Sequence, residues 1–132
     1  MFVDASAIVA ILTRESDADD LADRLQQAIE PITSAIAIFE ATLGICRKRH
    51  ASIQEAQADI ADFLDIARIK LVPVTGADAD IGLDAFSRYG KGQRHPAQLN
   101  MGDCFAYAVT RNHRTSLLCK GNDFASTDIT LG

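Results

Sequence analysis

At 132 residues the chain has room for one domain with a core of its own, spanning 1–132. Hydrophobic residues at 48% against 23% charged exclude a disordered or low-complexity chain. The formal net charge of -5 speaks against a general polyanion binder, because phosphate contacts need Lys and Arg; a nucleic-acid partner requires the acids to gather where a cation offsets them.

In chain order, Met1 to Asp4 is an apolar run ending in an acid and predicts a buried opening strand. Ser6 to Thr13 predicts a helix with Ser6 as a plausible cap. From Asp17 to Glu30, Leu21, Leu25 and Ile29 recur four apart, the stripe of an amphipathic helix that Pro31 stops. Ile32-Thr33 is a very short strand. Ser34 opens a longer helix through Ile36, Phe39, Leu43 and Cys46, ending in Arg47-Lys48-Arg49-His50, where basic residues suit the C-terminal dipole. Ser52-Ile53-Gln54-Glu55 is a capping-box pattern for a helix to about Ala67. A strand over Ile69 to Val74 and a helix over Ala77 to Tyr89 follow, then the loop Gly90 to Pro96. Asn100 or Gly102 starts a helix to about His113, with Asn100 read as its cap rather than a site residue. Ser116 to Cys119 is an apolar strand, Gly121-Asn122-Asp123 turns out of it, and Ile129 marks a short edge strand. Helices alternating with short apolar strands indicate an α/β fold with a mostly parallel sheet and helices on both faces.

Cys46, Cys104 and Cys119 are far apart and form no CxxC pair, so they read as reduced, buried thiols rather than a zinc or disulfide framework. No leader-like segment or long apolar run is visible, and a cytoplasmic protein with no membrane contact is expected.

Most acids, such as Asp19, Asp20, Asp59 and Asp62, read as solvated helix faces. Four sit among apolar residues instead: Asp4 after Phe2-Val3, Glu40 within Ile36 to Leu43, Asp103 before Cys104-Phe105-Ala106, and Asp123 after Leu117-Leu118-Cys119. A buried carboxylate without a partner shifts its pKa or costs several kcal/mol, and neither Glu40 nor Asp103 has a base within one helical turn. Asp4 and Asp123 follow apolar strands, where ligands of open α/β sheets bind. Asp103 lies in a helix's first turn, where a carboxylate is favoured. Carboxylates converging without His or Cys select magnesium or manganese. Such ions serve phosphodiester hydrolysis by lowering the pKa of water and offsetting charge on phosphoryl oxygens. From spacing alone, the alternative of isolated caps and buried acids stays open. His50, His95 and His113 follow no ligand or general-base spacing.

Four segments together resemble the PIN-domain family, specifically its VapC-type toxins: Val3-Asp4-Ala5-Ser6-Ala7, Phe39-Glu40-Ala41, Asn100-Met101-Gly102-Asp103, and Lys120-Gly121-Asn122-Asp123-Phe124. They span essentially the whole chain. The resemblance implies a three-layer α/β/α sandwich of PIN-like form and a magnesium-dependent endoribonuclease, with manganese as a substitute. Asp4, Glu40, Asp103 and Asp123 would be its catalytic and metal-binding acids. It further implies an RNA substrate, a homodimer, and a VapB-type antitoxin whose C-terminal segment blocks the site. Ser6 matches a hydroxyl residue beside the first acid, where it orients that carboxylate or simply caps the helix. Asp128 matches the family's ending, as an outer-shell acid or, preferably, a plain turn residue. For RNA contact the loop residues Lys91 and Arg94 are preferred over the basic cluster at Arg47 to His50 and over Arg111, Arg114 and Lys120.

Three other classes fit the residues less well. A receiver domain needs an acid where the strand Ile69 to Val74 runs into Thr75-Gly76, and a haloacid-dehalogenase-type phosphatase needs an Asp where Ser6 stands. A non-catalytic RNA- or protein-binding module on the same fold has no use for four mutually repelling carboxylates.

Overall fold

The computed structural model describes residues 1–132. In chain order it contains β1 (Phe2–Val3), α1 (Ala5–Leu12), α2 (Ala18–Gln26), β2 (Ile32–Ser34), α3 (Ala35–Arg49), α4 (Ile53–Ile66), β3 (Lys70–Val72), α5 (Gly76–Tyr89), α6 (Met101–Asn112) and β4 (Leu117–Leu118). The strands pair in the order β3-β2-β1-β4, parallel throughout. Phe2 registers with Ile32 on one side and Leu117 on the other.

That order sets the layers. Strands β1, β2 and β3 step in one direction, and the chain then returns across the sheet to place β4 on the far side of β1. Right-handed crossovers put α1 to α4 on one face and α5 and α6 on the other, giving the three-layer sandwich. The order reverses between β1 and β4, so the crevice that binds ligands in such sheets lies beyond their carboxyl ends. Covered on both faces, β1 and β4 are wholly apolar: Phe2, Val3, Leu117 and Leu118 are fully buried, part of one continuous core with Ile8, Leu21, Ile45, Ile60, Leu99 and Tyr107.

Local chemistry moved several boundaries. The cap of α1 is Asp4, not Ser6: the Asp4 carboxylate accepts the Ser6 N–H at 3.1 Å, and Ser6 lies inside the helix. Helix α2 stops at Gln26, so Ile29 lies outside the stripe and is 97% exposed, while Leu21 and Leu25 are buried. At α4, Ser52 Oγ accepts the Glu55 N–H, but the Glu55 carboxylate takes the Ser52 hydroxyl rather than its backbone N–H. The complete capping boxes are Thr75 with Asp78 and Asn100 with Asp103. The edge pairing expected at Ile129 falls at Leu131, which bridges Leu117.

Three helices end alike. After α1, α4 and α6 an arginine (Arg14, Arg68, Arg114) takes a left-handed φ of 59°, 56° and 52°. The next N–H reaches back five residues: Glu15 to Ala10, Ile69 to Leu64, Thr115 to Thr110. This is the Schellman closure, with arginine where glycine is usual. No helix is long and apolar enough to cross a membrane.

Candidate functional site

Asp4 is fixed first. Its N–H donates to Leu118 O at 3.0 Å in the β1–β4 ladder, which places its side chain at the reversal point of the sheet. The buried carboxylate accepts the Ser6 N–H and, at 2.5 Å, the Ser6 hydroxyl, both on Oδ2. Ser6 Oγ in turn accepts the Lys120 N–H at 3.0 Å. Ser6 therefore ties the turn after β4 to the acid after β1, which is more than capping.

Glu40 projects from α3 on a face shared with Gly44 and Lys48 at helical i, i+4, i+8 spacing, and all three line the same cleft. Gly44 lets α3 close on α1, since a Cβ there would meet Val9 Cγ2 at 2.9 Å. The Glu40 carboxylate lies against the start of α6: a Cβ on Gly102 would stand 2.1 Å from its Oε2. Asp103 is the third helical residue of α6, and its box with Asn100 holds it. Asp103 N donates to Asn100 Oδ1 at 2.9 Å, and Asn100 N donates to Asp103 Oδ2 at 3.1 Å. Asp123 sits on the turn after β4, behind Gly121 with φ 90°, and is exposed, not buried as its apolar flank implied.

Asp4, Glu40 and Asp103 thus line one cleft of about 360 Å³, brought there by β1, α3 and α6. Asp123 does not line it but acts on it electrostatically. Burial raises the Asp4 pKa, opposed by the Ser6 hydrogen bonds and aided by Asp123. Glu40 is pushed up to about 7 by burial, then by the charges of Asp4 and Asp103. Asp103 is raised to about 6 by burial; the Asn100 N–H opposes this, Asp4 and Asp123 add to it, and Lys91 pulls it down. None of the four acids makes an ion pair with Lys, Arg or His. The donors are hard oxygens that repel one another, the chemistry that suits magnesium or manganese. No three of the chain's His, Cys, Asp or Glu side chains stand at ligating spacing, so sharing one ion requires side-chain rotation. The neighbouring Cys119 thiol is pushed up to about 12 by burial and by Asp4, which keeps it protonated and inert. All three cysteines are free.

The other candidates divide. Lys91 is near enough to act on Asp103, whereas Arg94 is exposed with φ 56° and does not line the cleft. Arg47, Lys48 and Lys120 do line it. Asp128 accepts the Tyr107 hydroxyl at 2.6 Å and pairs with Arg111 at 3.1 Å and Arg88 at 3.5 Å; its partners are these, not the quartet. Nothing local in the sequence marks Gly102 as the seat of the Glu40 carboxylate or Glu15 as a cleft residue. Asp78 is a further buried acid, satisfied by Thr75 and by the Asn112 amide at 3.1 Å, in a structural role. The largest cleft, about 1040 Å³, lies at the amino ends of the strands, among Arg24, Arg68, Lys70 and Arg114. It is remote from the carboxylates, so size does not identify the site here.

The profile of the PIN domain family matches residues 1–129. A VapC ribonuclease of Rhizobium meliloti is 37% identical, over 97% of this chain and 98% of its own length. Ribonuclease VapC28 of Mycobacterium tuberculosis is 38% identical, over 98% of this chain and 95% of its own. Among solved structures, Mycobacterium tuberculosis VapC20, described as a Sarcin-Ricin loop cleaving toxin, superposes with a TM-score of 0.76 at 19% identity, covering 98% of this chain and 95% of that one. A toxin–antitoxin complex from Klebsiella pneumoniae gives 0.70 at 15% identity, covering 99% and 95%.

Proposed function

The chain belongs to the PIN-domain family, and from that premise we propose that it is a magnesium-dependent endoribonuclease and the toxin of a type II toxin–antitoxin pair. One observation carries the reading. Carboxylates from three separate segments, Asp4, Glu40 and Asp103, meet in one cleft at the sheet's reversal point, unpaired by any base and flanked by basic residues. The curated relatives named as VapC ribonucleases support it over nearly their full length.

Asp4, Glu40 and Asp103, with Asp123, would hold one or two magnesium ions, manganese serving as substitute. The bound cation supplies charge neutralisation at the phosphoryl group and acidifies water. The chain's own contribution is positioning. Ser6 orients the Asp4 carboxylate, Asn100 fixes Asp103, and the bare Cα of Gly102 leaves room for Glu40. In the metal-free protein Glu40 and Asp103 titrate near neutrality, so cation binding is coupled to proton release.

The same reading assigns the apolar groove beside Glu40, formed by Ile36, Phe39, Leu43 and Met101, to a VapB-type antitoxin. A basic residue on that partner has an acidic pocket next to the groove to enter. It also carries a homodimer and a cytoplasmic setting. A metal titration followed by thermal melting tests it. Magnesium or manganese is expected to raise the melting temperature of the wild type and leave Asp4→Asn unmoved; equal responses would remove the proposed site.

A further inference from the structure

We propose that Lys48 and Lys120 form a backbone-phosphate subsite for single-stranded RNA on the rim of the carboxylate cleft, and that Glu15 occupies it as an internal counter-ion which the RNA strand displaces. The proposal rests on the ribonuclease reading of that cleft.

The geometry is specific. Lys120 Nζ meets Glu15 Oε2 at 3.0 Å, while Lys48 Nζ pairs with the other oxygen, Oε1. A single carboxylate therefore holds two ammonium groups, one on each oxygen, from the end of α3 and from the turn after β4. Two oxygens on one centre, each facing a lysine, is also how a phosphodiester presents its non-bridging oxygens. Asp17, at 3.3 Å, is a second and longer contact of Lys120.

The three side chains belong to the cleft. All line it together with Asp4, Glu40 and Asp103. Lys48 lies two turns from Glu40 on the same face of α3. The Lys120 backbone is bonded to Ser6, which is bonded to Asp4. A phosphate held by both lysines thus shares one cleft with the carboxylates, as a strand crossing the centre requires.

Glu15 is delivered by the chain rather than by chance solvent contact. The left-handed Arg14 ends α1, and the Glu15 N–H closes on Ala10 O at 3.0 Å, so the residue is fixed at its backbone. Its side chain is 17% exposed, against 46% for Lys48 and 36% for Lys120. The lysines keep open donor positions on their solvent side, since an ammonium has three. Ion pairs on a partly exposed rim are weak and readily exchanged, whereas phosphate offers the same charge with release of its condensed counter-ions. On a protein of net charge -5, two lysines held beside the acids are a local exception that places positive charge where a strand would run.

The test is fluorescence anisotropy of a labelled, mixed-sequence single-stranded RNA oligonucleotide over a salt series, in chelator so that no turnover intervenes. Lys48→Gln and Lys120→Gln are each expected to weaken binding and flatten the log–log salt slope by about 0.7. Glu15→Gln is expected to tighten binding and steepen the slope by a similar amount. That gain should vanish in the Lys48→Gln/Lys120→Gln background. Lys→Arg at both positions should keep wild-type binding. A purely structural Glu15 would instead lower the melting temperature on substitution without tightening RNA binding.

Weaker or unchanged binding by Glu15→Gln, or an unaltered slope in both lysine variants, overturns the subsite. Magnesium-induced melting shifts on the same proteins separate the two readings. A wild-type shift without these RNA effects leaves the nuclease and removes the subsite. These RNA effects without a wild-type shift leave the subsite and remove the metal centre.

Discussion

Replacing Gly102 by alanine exchanges one hydrogen for a methyl group, and the account predicts that this small change disables the site while leaving the fold intact. Gly102 is the second residue of α6, beside Asp103. The added Cβ would stand 2.1 Å from Glu40 Oε2 and 2.4 Å from both Cδ and Oε1. Ordinary contact begins near 3.4 Å, so the carboxylate must retreat by about 1 Å, and a misplacement of that size costs on the order of 100-fold in rate. The retreat is achieved by side-chain rotation, because the obstructing atoms are the end of a flexible chain. Backbone strain is not introduced. Alanine in a helix is favoured over glycine by about 0.5–1 kcal/mol, so the metal-free variant should melt at or above the wild-type temperature. Turnover on RNA should fall by about 10- to 100-fold, and the magnesium-induced melting shift should shrink with it. Wild-type turnover with a wild-type metal response would refute the role given to Glu40 and to the close approach of α3 and α6.

Three further outcomes follow from the same geometry. In the metal-free protein Glu40 and Asp103, raised to about 7 and about 6, favour their neutral forms in the fold, so the stability they contribute is full below the ordinary carboxyl range and is lost as pH rises through 6 to 7. Both are only partly buried, so the screened effect is about 1–2 kcal/mol; urea midpoints measured in chelator should fall from about pH 5 to pH 8, and a rise would contradict the assignment. Tyr107→Phe removes a hydroxyl that donates to Asp128 at 2.6 Å and accepts from Arg88 at 2.9 Å, and should cost about 1–2 kcal/mol in a denaturation titration without altering metal binding. Arg68→Gly relieves a left-handed φ of 56° and should stabilise by about 0.5–1 kcal/mol, read as a higher melting temperature.

Asp4, Glu40 and Asp103, three of the four acids singled out in the sequence, line one cleft, because an acid set among apolar residues is a local signal; Asp123, chosen on the same signal, is exposed and lies outside it. Asp4 and Asp123 follow runs too apolar to be loops, and Asp103 follows the helix-opening Asn100. The parallel sheet was visible for the same reason, since β1 and β4 are apolar on both faces. What the sequence hid was set by distant partners. Lys120 and Glu15 are far apart in the chain, and nothing in either neighbourhood announces that they meet. Gly102 is informative only once Glu40 is seen lying against it. Arg94 was preferred for its loop, yet the cleft is lined by Arg47, Lys48 and Lys120, candidates ranked behind it. The ends of α1, α4 and α6 fall within one residue of those expected, although an arginine at the left-handed position leaves no glycine to read. The end that differs is that of α2, at Gln26, although Ile29 continues its period.

The central claim is tested most directly by mapping RNA ends. Total cellular RNA would be incubated with the purified protein in magnesium, in chelator, and with Asp103→Asn, and the new termini sequenced. The account predicts discrete new ends that require both magnesium and Asp103. Ends that persist with chelator or with Asp103→Asn, or no new ends from a protein that binds both magnesium and RNA, would contradict it.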